Sequence, residues 1–456
     1  MTKDMTVGRP MPLIIAFFFP LLAGNLFQQL YNMVDMMIVG RFVGTGALAA
    51  VGSTGSLHFL VIGLISGLCT GFCIPVSRTF GAGDGEGMRR AVAAGTVLSS
   101  GISVVIAVVT ALGCGWLLTI MDTPADIFAD AQAYISLLFW GIPATTFYNY
   151  TAGLLRAVGD SRTPLICLII SSLCNIALDL FFILAFDMGV VGAALATVIA
   201  QVLSGVLCLW QIVRHLDLLH PRGREWMPRA SVCRQLLGVG LPMGFQFSIT
   251  AIGTIVVQAA VNSLGTDIVA AVTAGNKVQN LVNQPLESLG VTVATYCSQN
   301  LGAGRIDRVK SGMRQITLFM VGLSLLGSAI AFFGGRYILL LFLDSSETFI
   351  LGEAQRFLNF NCIFYVFLGV VLVFRNAIQG LGYATPAMLA GVLELIARSA
   401  VAICLTPVIG FTAVMMAHPA AWIAADAFLL LPFYFYILHR LNRNLSKAPR
   451  TAGGGM

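Results

Sequence analysis

Twelve long apolar stretches follow one another along the chain, separated by short polar or Gly/Pro-containing turns. An apolar run of about 20 residues can cross a bilayer as a helix. The pattern predicts spans at 12–38, 47–76, 91–117, 127–153, 164–186, 190–212, 233–262, 268–297, 312–334, 350–378, 385–408 and 412–438. The apolar blocks are continuous instead of alternating, and 48 glycines are scattered through the chain. That argues for a helix bundle and against a barrel.

Composition points the same way. The 456 residues are 57% hydrophobic and only 10% charged, and mean hydropathy is +0.88. A soluble domain carries about 25% charged residues. No cleavable signal peptide is expected: the first span is too long for a signal core, and no small-residue cleavage site follows it. The ten cysteines are spread singly, mostly within spans, as small apolar residues would be.

The formal charge of +6 is a topology signal. Twenty of the 26 Lys and Arg lie at the two ends and in the loops after even-numbered spans, among them Lys3, Arg9, Arg89, Arg222, Arg308, Lys447 and Arg450. Only Arg41, Arg336 and Arg356 fall on the other side. By the positive-inside rule both termini are expected in the cytoplasm, and the protein in the plasma (inner) membrane. Nothing is left over to suggest nucleic-acid binding.

The chain also repeats itself. "SRTFGAGDGEGM" (77–88) aligns with "SQNLGAGRIDRV" (298–309) at an offset of 221, and "VGTGALAAV" (43–51) aligns with "LGTDIVAAV" (264–272) at the same offset. Pro20 answers Pro242, "VGDSRTP" (158–164) answers "LGYATP" (381–386), and "DAQAYI" (130–135) answers "EAQRFL" (353–358). Each copy holds an even number of spans, so both enter the membrane in the same sense, as in transporters built from parallel repeats. The expected organisation is an N-lobe over 1–213, a linker over 214–232, a C-lobe over 233–440 and a tail over 441–456. Two such lobes suit alternating access around a central cavity.

Polar faces locate that cavity. Asn25, Gln28, Gln29, Asn32 and Asp35 of the first span fall within about 120° of arc. The seventh span, its repeat partner, carries Gln246, Thr250, Thr254 and Gln258 four residues apart. Interhelical hydrogen bonding would explain any one of these residues. Two matching stripes favour a wet cavity. The run "FYNY" (147–150) and Trp140 would either line it or pack in the core, and His58 in the second span reads as a packed hydrogen-bonder.

A carboxylate inside a span costs roughly 2.5–3.5 kcal/mol on the most lenient scale, so Asp35 needs a reason. "LCNIALDLFF" (173–182) puts Asn175 and Asp179 one turn apart on the fifth span, and Thr197 lies in the sixth. At 1.5 Å per residue all lie roughly 8–12 Å below the outer boundary. Two carboxylates that close must share a proton or hold a cation. The C-lobe has no such pair, since Val256 or Val257 aligns with Asp35 and Val401 with Asp179. The C-lobe has its own charges. Glu394 and Arg398 form an i,i+4 pair, read as a structural ion pair. Lys277 and Asp426 would join that network or face the substrate.

Together "NMVDMMIVG", "GALAAVG", "GAGD", "LRAVGDSRTP", "CNIALDLFF" and "QNLGAG" resemble the multidrug and toxic compound extrusion (MATE) family over essentially the whole chain. The resemblance implies twelve helices in two lobes and export of bulky, often cationic or amphipathic organic compounds. It implies antiport with H⁺ or Na⁺ as the coupling ion, and no other cofactor or metal. It also implies a coupling site of Asp35, Asn175, Asp179 and Thr197. The polar stripes themselves put Gln28, Gln29, Asn32, Gln246, Thr250, Thr254 and Gln258 toward the substrate, with Lys277 a further candidate. Thr250 and Val370 stand near the positions where the family's other large branch carries acids, so the chain resembles the DinF-like branch. The expected partners are small organic substrates and membrane lipid, with the protein a monomer and not an enzyme. Two alternatives stay open. One is a lipid-linked oligosaccharide flippase of the same superfamily, which would want a strongly basic cavity. The other is a polytopic membrane enzyme, which would want clustered catalytic residues at one membrane face.

Overall fold

The computed structural model describes residues 3–447, and side chains through Leu441 together with that of Arg443. Arg450 and the rest of the expected tail from residue 448 onward lie outside the described residues. Helices and turns account for the described chain, and it holds no strand. The helices group into twelve spanning units.

The N-lobe contains α1 (Pro10–Val43), α2 (Gly55–Gly81), α3 (Gly85–Ile120), α4 (Phe128–Trp140 and Ile142–Ala157), α5 (Arg162–Ala185) and α6 (Gly189–His215). The C-lobe contains α7 (Ala230–Asn262), α8 (Thr266–Gly302), α9 (Ile306–Leu339), α10 (Thr348–Cys362 and Tyr365–Gly380), α11 (Ala384–Ile409) and α12 (Phe411–Leu441). A short helix, Thr45–Ser53, precedes α2. The linker folds into two 3₁₀ turns, Asp217–Leu219 and Gly223–Trp226. The last helix runs on to Lys447, past the lobe end expected at 440.

Among the described residues nine helices are long and apolar enough to span a membrane, or ten if the two pieces of α10, bent by 55°, count as one. The other two units have physical reasons to fail that test. Gly141, with Pro143 just beyond, breaks α4 into two short helices. α8 is long but polar, because it lies in the interface between lobes: Gln284, Ser288, Thr292, Ser298, Gln299 and Asn300 are buried there.

The contact pattern is the same in both lobes. α1 packs on α5, α5 on α6, α4 on α6, and α2 on both α3 and α4. The C-lobe repeats each pairing six helices later: α7 on α11, α11 on α12, α10 on α12, and α8 on α9 and α10. Even the irregularities repeat, since α5 ends in a π-helical turn at Phe181–Ala185 and α11 has one at Val401–Leu405, just before its last turn, Thr406–Ile409.

The lobes meet along α2–α7, α1–α8 and α2–α8. Glycine allows the α2–α7 crossing: a Cβ on Gly71 would stand 2.5 Å from the Gly240 Cα, and one on Gly67 2.5 Å from the Met243 carbonyl oxygen. The α2–α8 contact obeys the repeat's two-fold. Ser77 Oγ donates to the Thr295 carbonyl (3.5 Å) and Ser298 Oγ to the Ile74 carbonyl (2.9 Å), while Gly81 abuts Gln299 and Gly302 abuts Arg78.

The N-terminal stretch enters this seam at Met5 and Thr6, while Val7, Gly8 and Arg9 stay exposed. Met5 is fully buried, and its N–H donates to Gln299 Oε1 (2.9 Å). Gln299 Nε2 in turn donates to the Ala157 carbonyl at the end of α4 (2.9 Å). Arg305 and Arg308 donate to the Thr6 and Gly8 carbonyls at 2.8 and 2.7 Å. All of this lies on the face that carries both described chain ends, the terminal face. Among the described residues, side-chain hydrogen bonds between lobes run from mid-membrane, where Asn25 donates to Ser288 (3.0 Å), to that face. In the opposite half of the cleft the described residues make none.

Candidate functional site

A cavity of about 320 Å³ lies inside the N-lobe. α1 lines it with Asn25, Gln28, Tyr31 and Asn32, α2 with His58, Ser66 and Thr70, α4 with Thr145, Tyr148, Asn149 and Arg156, and α6 with Thr197 and Gln201. Among the described residues of the C-lobe, only Val291 reaches it.

The predicted substrate residues therefore divide. Gln28 and Asn32 line the cavity and Gln29 does not. The α7 stripe lies elsewhere and spends its polarity locally. Gln379 donates to Gln246 (2.6 Å), Thr250 Oγ1 to the Gln246 carbonyl (3.0 Å), Thr254 Oγ1 to the Thr250 carbonyl (3.1 Å), and Gln258 to Asn262 (2.8 Å). Interhelical and backbone bonding accounts for that stripe in this conformation. Lys277 is exposed, with its ammonium 5.2 Å from the centre of the Phe342 ring.

Of the four residues expected at the coupling site, on the mutually packed α1, α5 and α6, the structure brings Asp35 and Asp179 together, with Asn175 one turn before Asp179 on α5. The Asp35 and Asp179 carboxyls lie within hydrogen-bonding reach of each other. Asp179 and Asn175 are fully buried, and Thr197 Oγ1 donates to the Ala193 carbonyl (3.0 Å) at the cavity wall. Unless a proton or cation lies between the carboxyls, Asp35 Oδ1, both Asp179 oxygens and the Asn175 amide have no hydrogen-bond partner. Buried polar atoms without partners cost about 1–3 kcal/mol each, more when charged. Two carboxylates, an amide and a hydroxyl can host a proton or a monovalent cation. The described residues contain no cluster of three or more His, Cys, Asp or Glu side chains of the sort a polyvalent metal needs.

Two tyrosines complete the site and escaped the sequence reading. Tyr31 and Tyr134 stand close enough to both carboxylates to feel their charge. Tyr31 lines the cavity as well, so it connects the acid pair to the space where a ligand would sit. The signal was available: Tyr31 lies four residues before Asp35, on the same helix face. A search restricted to amide and acid side chains passes over it. His58 faces the cavity with Nδ1 unpartnered, instead of packing as a hydrogen-bonder. The aromatic run splits: Tyr148 and Asn149 line the cavity, Tyr150 donates to the Val92 carbonyl (2.9 Å), and Trp140 is on the surface.

In the C-lobe, Glu394 accepts an ion pair from Arg375 of α10 and a longer one from Arg398, 3.8 Å away. The sequence reading had Glu394 and Arg398 as a pair, and Arg375 makes it a triad. Asp426 of α12 is buried within range of the Arg375 charge and has no hydrogen-bond partner. Two arginines and two carboxylates thus sum to zero.

The MatE family model matches residues 20–181 and 242–408, one block in each lobe. Among curated proteins, the chain is 30% identical over 389 residues to the probable multidrug resistance protein YoeA of Bacillus subtilis, covering 83% of this chain and 82% of that protein. It is 27% identical over 379 residues to the probable multidrug resistance protein YpnP of the same organism, covering 83% and 84%. Among solved structures, the outward-facing conformation of a multidrug resistance MATE family transporter of the MOP superfamily superposes with a TM-score of 0.90 at 22% identity, over 97% of this chain and 99% of that one. At that identity the likeness establishes the fold.

Proposed function

The chain belongs to the MatE family, and from that premise we propose that it exports bulky organic compounds across the cell membrane in exchange for H⁺ or Na⁺. The relatives named above carry the names of multidrug resistance proteins. The observation that carries the reading is the Asp35–Asp179 pair beside a polar cavity: Asp179 is fully buried, Asp35 is half-buried, and among the described residues neither forms an ion pair with a Lys or Arg. A pair of acids in that setting is held for an exchangeable cation.

Positive-inside bias makes the terminal face cytoplasmic, with both termini on that side. The lobes are then closed toward the cytoplasm, and the cavity can empty only outward. A proton or Na⁺ arriving from outside would bind Asp35 and Asp179, assisted by Asn175 and Thr197. Binding removes the repulsion between the carboxylates and lets α1, α5 and α6 close up. Tyr31, which lines the cavity next to the pair, would transmit that movement to the ligand. Cation and substrate then oppose one another, each lowering the other's affinity by the same factor at equilibrium. The protein would act as a monomer in lipid, with no cofactor. A flippase of pyrophosphate-linked lipids would want several cations in the cavity, and Arg156 is the one Lys or Arg that lines it.

The test is efflux of a cationic dye from membrane vesicles, with a pH gradient and a Na⁺ gradient imposed separately. One of the two should drive efflux, and absence of transport under both would reject the reading.

A further inference from the structure

Arg156 is a guanidinium without a counter-ion. It stands in the last turn of α4, lines the N-lobe cavity, and makes no side-chain hydrogen bond or ion pair to any described residue. The buried arginines of the C-lobe are different: Arg375 and Arg398 both have Glu394 as a counter-ion. Its surroundings are polar. Ser66, Thr70, Tyr148, Asn149 and Ser161 line the same cavity. Asn149 uses its amide N–H on the Thr145 carbonyl (2.9 Å) and Thr70 its hydroxyl on the Ser66 carbonyl (2.8 Å). None of these offers a full negative charge.

The cavity is therefore bipolar. Thr145, Tyr148, Asn149 and Arg156 lie on one continuous helix and all face in. Eleven residues separate Thr145 from Arg156, a rise of roughly 16 Å. Arg156 marks the terminal-face end, next to Ser161. Tyr31, which borders the acid pair, marks the other. Between them Leu21, Ile62, Leu138, Leu165 and Leu168 give apolar walls.

We propose that Arg156 is an anion subsite, and that the exported compounds are amphipathic ions carrying one carboxylate or comparable monoanionic oxygen group, seated at the terminal-face end of the cavity. A planar guanidinium suits such a group because it donates two parallel N–H bonds to two oxygens. One arginine neutralises one charge, which selects monoanions over the doubly charged phosphates. A cationic centre on the same molecule would sit toward the acids, so zwitterionic amphiphiles fit best. This rests on the export reading above and narrows its substrate class.

The test compares a rhodamine bearing a free carboxylate with the ethyl ester of the same dye, each titrated into the purified full-length protein and followed by fluorescence polarisation. The acid should bind about tenfold more tightly than the ester, the scale of a charge-assisted hydrogen bond. In Arg156→Gln that ratio should fall to near one through loss of acid affinity, with ester binding unchanged, which also reports intact folding. Arg156→Lys should keep part of the preference. Equal binding of acid and ester by the wild type, or a preference that survives Arg156→Gln, overturns the proposal while leaving export intact. Failure of both dyes to bind overturns export and proposal together. A further arm adds phosphatidylglycerol to the detergent. Displacement of the acid dye from the wild type identifies a lipid phosphodiester as an occupant of the site, and no displacement identifies free organic anions.

Discussion

Gln299 of α8 reaches across the seam between the lobes and donates its amide N–H to the Ala157 carbonyl of α4 at 2.9 Å, while its oxygen accepts from the Met5 N–H. One fully buried side chain thus ties the C-lobe, the N-lobe and the N-terminal stretch together on the terminal face. Under the proposed export cycle, this is the contact that opening toward the terminal face would have to break.

Gln299→Ala should loosen that closure. It leaves the Met5 N–H and the Ala157 carbonyl without partners, at about 1–3 kcal/mol per buried group. Hydrogen exchange of the amides at 3–9 and 295–302 should accelerate at least tenfold, with exchange in α5 and α6 unchanged. Unaltered exchange at 3–9 would mean the bridge holds nothing.

Gly71→Val attacks the same seam from the middle. The added side chain would meet the Gly240 backbone, which cannot rotate away. Overpacking of this kind typically costs 1–3 kcal/mol, so thermal unfolding in detergent should begin at a lower temperature than in wild type. Gly101→Val, where nothing lies within 4 Å of the added Cβ, is the control. An equal loss in both variants would refute the crossing argument.

How much of this could be read from the chain alone follows from the range of the forces involved. Span positions and the two-fold repeat were legible, because each depends on local hydropathy or on matched segments such as Ser77 with Ser298. The closeness of Asp35 and Asp179 was legible because both acids fall at one depth on spans that pack together. The fate of the α7 stripe was not. Thr250 and Thr254 have the same periodicity whether they face water or bond the preceding turn, as they do here. The N-terminal wedge was equally hidden: Met5 sits in a polar stretch, and only the packed lobes bury it. The triad at Glu394 needed tertiary structure too, because Arg375 comes from α10, in a segment of its own.

That triad makes its own prediction. Arg375→Met leaves Glu394 with the distant Arg398 and leaves Asp426 without the opposite charge it faces. Breaking a buried ion pair costs roughly 3–5 kcal/mol, so the variant should be strongly destabilised. Adding Asp426→Asn restores charge balance and should recover part of the loss, a coupling that a double-mutant cycle measures. Additive effects would separate Asp426 from the cluster.

The linker carries a pH-dependent tether. Arg89 donates to Glu225 at 2.8–3.1 Å, and the Arg222 N–H donates to the same carboxyl at 2.7 Å. The Arg89 guanidinium foremost, then the Arg222 amide, holds the Glu225 carboxyl below its usual range. A carboxyl lowered in the folded state contributes stability that is present above its unfolded pKa of about 4.3. That contribution fades as the pH falls toward the lower folded value. Exchange in 217–226, corrected for its intrinsic pH dependence, should rise between pH 7 and pH 3. In Glu225→Gln it should be fast at both, and a wild-type response retained in that variant would exclude the tether.

The central claim, that Asp35 and Asp179 exchange a cation for the substrate, is tested most directly by cationic-dye affinity for the purified protein across pH 5 to 8, first at fixed and then at varied Na⁺. Wild-type affinity should fall as the coupling ion is added. That response should vanish in the Asp35→Asn, Asp179→Asn double variant, which should still bind the dye. Affinity indifferent to both ions in the wild type, or a response that persists in the double variant, would contradict the account.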